Sequence, residues 1–128
     1  MRLVLGVGLA SAADPAQLRE LTLTTLQDGG FCPADVCTVA TLATKAQLPA
    51  VSHLARALGA CINGHPAATL AAHRVPSPSG RVAATVGTPS VAEAAVLAEG
   101  AVLVVAKTGL GLCTVAVGRL DPATAERR

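Results

Sequence analysis

A single aromatic side chain, Phe31, stands among 128 residues of which 52% are hydrophobic. Any core this chain builds must come from Val, Leu and Ala, whose short side chains let backbone layers approach closely. The apolar residues fall into short runs, each set off by glycine, proline or a capping residue. Residues 2–8 read as a buried strand, continuous, rich in Leu and Val and ended by glycine. Asp14-Pro15 supplies an N-cap and a proline at the first helical position, which predicts a helix to about Asp28, stopped by Gly29-Gly30. Residues 36–42 form a second strand. Within 46–58, Val51, Leu54, Ala55 and Leu58 share one helical face, and Gly59 closes it. Residues 61–64 fit a short strand or a turn, and 66–78 show no decisive period. Val82, Ala84 and Val86 alternate as a half-buried strand does. A helix from Ser90 to about Glu99 follows, then strands at 101–106 and 112–117 around Thr108-Gly109-Leu110-Gly111.

Strand alternating with helix gives an α/β single-domain layered sandwich, with a mostly parallel sheet, flanking helices and an antiparallel closing strand pair. One domain over residues 1–120 and a polar tail over 121–128 accommodate the whole length.

Composition also excludes function classes. A net charge of +2 with scattered Lys and Arg is no duplex-binding face, and the lack of aromatics removes the platforms on which single strands stack. No nucleic-acid partner is expected. No apolar run approaches the ~18 residues of a membrane span. The run 3–10 followed by Ala10-Ser11-Ala12 imitates a secretion signal, but Gly6 and Gly8 interrupt it and a helix start follows, which favours a first strand. Cys32, Cys37, Cys61 and Cys113 are even in number. In a domain that needs no staples they read as reduced thiols, with Cys37, Cys61 and Cys113 as small buried hydrophobes. That places the chain in the cytoplasm. Cys61 and His65 lack a second pair at zinc spacing, so no metal site is expected.

Several residues can carry chemistry. Gly6-Val7-Gly8 before a helix resembles a shortened dinucleotide loop, or is a tight strand-to-helix turn. Lys45 and Lys107 stand at strand ends, either facing a ligand crevice as a cationic rim or simply solvated. Ser90 and Glu93 have capping-box spacing, and a glutamate in a first turn can also act as a general base.

In order, these segments resemble the CobE family of cobalamin-biosynthesis proteins, equivalent to the C-terminal domain of CbiG. The resemblance rests on Gly6-Val7-Gly8, on Val39 to Lys45, on Val75-Pro76 through Ser79, on Val86-Gly87-Thr88-Pro89-Ser90-Val91-Ala92-Glu93, and on Lys107 with Thr114 to Val117. Ala43 stands where the family usually has an acidic residue, and Leu9-Ala10-Ser11 replaces its usual Cys or Ser and basic residues. What the resemblance implies is a protein binding or processing a precorrin, a tetrapyrrole bearing many carboxylates, and working beside other enzymes of the pathway. CbiG opens a lactone on such a ring. The implied roles are substrate binding by Gly6, Gly8, Lys45 and Lys107, and catalysis by Glu93 with Ser90, with no cofactor. Two other readings remain open: a nucleotide-binding regulator using Gly6 and Gly8, and a non-catalytic partner-docking subunit.

Overall fold

The structure, a computed structural model, describes residues 2–71 and 91–120. The strand expected at Val82–Val86, residue Ser90 and the tail 121–128 lie outside the described residues. Five strands form one sheet, with helices on both faces. In chain order the elements are β1 (Leu3–Leu9), α1 (Pro15–Asp28), β2 (Val36–Leu42), α2 (Pro49–Leu58), β3 (Cys61–His65), α3 (Ala67–Ala71), α4 (Val91–Ala98), β4 (Val102–Leu110) and β5 (Cys113–Arg119). The strand order is β3-β2-β1-β5-β4. β1 pairs with β2, and β2 with β3, in parallel; β5 runs antiparallel to both β1 and β4. The sheet is therefore α/β and parallel on one side, with the closing pair antiparallel as expected.

The local causes are visible in the sequence. Asp14 caps α1, its Oδ1 accepting from the Ala16 N–H at 2.9 Å, with Pro15 at the first position. α2 starts at Pro49 rather than Ala46, because Ala43–Lys45 turns as a 3-10 helix first. The closing hairpin is tighter than the turn residues suggest: Leu110 pairs with Cys113, leaving a two-residue loop in which Gly111 takes φ 59°. A two-residue hairpin requires a positive φ at its first position, which glycine adopts without steric cost.

Strand alternation sorts the core into two layers. Leu3, Leu5 and Val7 of β1 pack with Leu18, Leu21 and Leu26 of α1 and Val51 and Leu54 of α2. Val4, Ala40 and Ala116 face Leu70 of α3 and Ala92, Ala95 and Val96 of α4. The second layer is built of alanine and valine, so α4 lies close on the strands. Cys113 is buried, but Cys61, expected inside, is exposed, because β3 is the sheet's edge strand. All four cysteines are free thiols.

Candidate functional site

The parallel strands β1, β2 and β3 end on one rim, and the chain leaves β1 for β2 on one side while β5 and β4 complete the sheet on the other. In open α/β sheets, ligands bind outside the carboxyl ends of the strands where the order reverses. Here that point is the end of β1 and the segment Ala10-Ser11. Lys45 meets it: its Nζ donates to Ser11 Oγ at 2.9 Å. Lys45 is the last residue of the Ala43–Lys45 turn. β3 supports the turn from beneath, since a Cβ on Gly64 would lie 2.9 Å from Ala43 Cα. The ammonium group is thus anchored by a segment 34 residues away.

Gly6 and Gly8 lie inside β1 rather than in a loop after it. Their missing side chains make room for α4. A Cβ on Gly6 would stand 2.8 Å from Val96 Cγ2 and 2.9 Å from the Ala92 carbonyl carbon, and would overlap the Ala92 oxygen. At Gly8 it would lie 2.7 Å from Thr114 Oγ1 and 3.4 Å from Val91 Cβ.

Lys107 lies within β4, not at the end of a strand. Val105 pairs with Val117 and Thr108 with Val115, so three steps on β4 match two on β5. Such a bulge leaves one backbone group out of the ladder. The Lys107 N–H instead donates to Glu93 Oε2 at 3.2 Å. Glu93 is fully buried on α4, and its carboxylate holds the bulge that presents Lys107. The Lys107 side chain itself is exposed. The capping partner expected for Glu93, Ser90, lies outside the described residues.

The structure therefore joins Lys45 to Ser11 and Glu93 to Lys107. The two lysines do not meet. β1 and β5 lie between β2, which leads into the turn of Lys45, and β4, which carries Lys107, an axis-to-axis separation of about 14 Å at ~4.8 Å per strand.

A further cluster is not announced by the sequence. His65, the last residue of β3, places Nε2 2.5 Å from Glu99 Oε2, and Asn63 Nδ2 donates to both Glu99 oxygens at 3.1 Å. The His65 and Glu99 side chains are 17% and 12% exposed. The one usable signal is the period of two that places Asn63 and His65 on the same face of a strand. Nothing local ties either to Glu99, which follows α4.

Among the described residues no group of three or more His, Cys, Asp or Glu could hold a metal ion, and no helix is long and apolar enough to cross a membrane. Burial pushes the Cys113 thiol above its ordinary value, and the nearby Asp14 charge adds to the shift. A surface groove of about 620 Å³ runs along α1 and is lined by Arg19, Glu20 and His53 among others, but by none of the expected site residues.

The model of the family described as cobalamin synthesis G C-terminus matches residues 3–118. The chain is similar to the crystal structure of CobE, a protein from the cobalamin (vitamin B12) biosynthetic pathway. Identity is 29%, the TM-score 0.82, and the match covers 94% of this chain and 91% of that one. Two more distant structures share the fold. A cobalamin biosynthesis protein chiG from Agrobacterium tumefaciens is 24% identical with a TM-score of 0.69, over 93% of this chain and 98% of that one. A homologue of cobalamin biosynthesis protein G from Sulfolobus solfataricus is 13% identical with a TM-score of 0.73, over 94% of this chain and 37% of that one. No curated protein matches the chain.

Proposed function

The chain belongs to the family of the cobalamin synthesis G C-terminus, and from that membership we propose that it binds a precorrin intermediate and either hands it on or opens its lactone. The observation that carries the proposal is Lys45 anchored on Ser11 at the rim where β1 ends, the place α/β sheets reserve for ligands. A precorrin presents several carboxylates, and ammonium groups on separate strands can each take one through charge-assisted hydrogen bonds. Lys107, exposed on β4, is the second such group, and Glu93 positions it through its backbone N–H.

If the bound lactone is opened, Glu93 with Ser90 is the pair that the resemblance offers for activating water. The burial of Glu93 favours a positioning role for it instead. The nucleotide-binding alternative is weakened at α1, where the Asp14 carboxylate already takes the Ala16 N–H and places negative charge where a phosphate would sit. We assign the cytoplasm as the setting, in keeping with four free thiols, and other enzymes of the pathway as partners.

The test is incubation of the purified protein with precorrin intermediates, followed by gel filtration. Pigment co-eluting with the protein, with a shifted absorption spectrum, is expected. Pigment that elutes free and keeps its spectrum overturns the proposal.

A further inference from the structure

The Asn63–Glu99–His65 cluster joins the edge strand β3 to the end of α4. An ionised carboxylate can only accept hydrogen bonds, so the contact at 2.5 Å between His65 Nε2 and Glu99 Oε2 places the hydrogen of the neutral ring on Nε2. The lone pair is then on Nδ1, to which nothing bonds among the described residues. The imidazole is not needed to fasten α4 to β3, because the Asn63 amide already reaches both Glu99 oxygens. An imidazole with one nitrogen held by a carboxylate and the other open is how proteins fix a histidine for proton transfer.

Its location connects it to the proposed ligand. His65 pairs with Leu42 at the carboxyl end of β2. The preceding residue, Gly64, packs against the turn that carries Lys45. The turn that carries Lys45 and the imidazole therefore flank the end of β3 at the same rim, the turn on the face of Gly64 and the imidazole on the opposite face, toward α4. We infer that His65 is the general base of this site, with Glu99 and Asn63 as its positioning residues, and that it activates water to open a lactone on the bound tetrapyrrole. This rests on the reading of the chain as a precorrin-binding protein. His65 Nδ1 takes a proton from water as the water oxygen bonds to the lactone carbonyl carbon. The bond from that carbon to the ring oxygen then breaks, and the departing alkoxide takes the proton back from the imidazolium. Water and ester become one carboxylic acid and one alcohol. Glu99 balances the positive charge that the ring gains between the two proton transfers.

The test combines an absorption titration with a turnover assay on wild type, His65→Gln and Glu99→Gln. Circular dichroism confirms the fold of each, and mass spectrometry detects the addition of one water to a lactone-bearing precorrin. Wild type is expected to bind and to add water. His65→Gln should bind within about threefold of wild type but turn over about 100-fold more slowly, the usual loss on removing a general base. Glu99→Gln should fall between them. Nitrogen-15 spectra should show the Nε2-protonated tautomer in wild type, and a mixture in Glu99→Gln. Wild type that binds without adding water, or His65→Gln that turns over at the wild-type rate, overturns the assignment of His65. Wild type that does not bind overturns the precorrin reading itself, and the titration separates the two failures.

Discussion

Replacing Gly6 by Ala adds one methyl group at the tightest glycine contact among the described residues. The new Cβ would sit 2.8 Å from Val96 Cγ2, 2.9 Å from the Ala92 carbonyl carbon and closer still to its oxygen. Two of these atoms are backbone of α4 and cannot rotate away, so the helix must lift from the sheet by about 1 Å. A gap of that size forfeits a quarter to a half of the dispersion energy across it. It opens over Ala92, Ala95 and Val96, all fully buried. Overpacking of this kind costs about 3 kcal/mol at the upper end of its usual range. Lowering the freedom of the unfolded chain returns about 0.5 kcal/mol. The net loss is about 2.5 kcal/mol, which for a domain of this length lowers Tm by roughly 10 °C. Thermal melts followed by far-ultraviolet circular dichroism measure it. Gly109→Ala is the control, because the nearest atom to its added Cβ is 3.6 Å away. A Gly6→Ala protein melting within 2 °C of wild type, a shift of under about 0.5 kcal/mol, refutes the claim that α4 rests on the β1 backbone.

Four further predictions rest on particular residues. Lys45→Ala should leave Tm nearly unchanged, since an exposed hydrogen bond contributes little, yet weaken precorrin binding about 10- to 100-fold, the loss of one charge-assisted bond; titration and melting together check it. Glu93→Ala leaves the Lys107 N–H without its acceptor and should cost about 2 kcal/mol, with fast hydrogen exchange at Lys107, whereas Glu93→Gln keeps an acceptor and should retain most of the protection. Exposed Cys32 and Cys61 should react with a thiol reagent in the native protein, and buried Cys113 only on unfolding. Because the Cys113 thiol is raised above its ordinary value near 9.0, the unfolded chain loses that proton first as pH rises. Stability should therefore fall once pH passes about 9, and Cys113→Ser should flatten that decline in urea titrations.

Much of the architecture is written in local signals. Asp14-Pro15 marks the start of α1 because cap and fixed φ act within three residues, and Val36 to Leu42 reads as a strand because Val39 and its flanking threonines are β-branched. The exposure of Cys61 was not legible, since which strand lies at the edge depends on pairing across the whole sheet. The place of Lys107 within β4 was hidden for the same reason: a bulge is a property of two strands in register, not of one sequence. Gly6 and Gly8 stood out, but as a loop open to ligand; the sequence does not say that a helix 86 residues further on fills the space above Gly6. The bond from His65 to Glu99 spans 34 residues and leaves no trace in either segment.

The central claim, that a carboxylate-rich tetrapyrrole sits on the strand-end rim at Lys45 and reaches across the sheet to Lys107 within β4, is tested most directly by amide chemical-shift mapping of nitrogen-15-labelled protein during precorrin titration. The account predicts shifts concentrated at Gly8 to Ser11, Thr44 to Ala46, His65 and Lys107. Shifts confined to Arg19, Glu20 and His53, the groove along α1, with the rim unmoved, would contradict it.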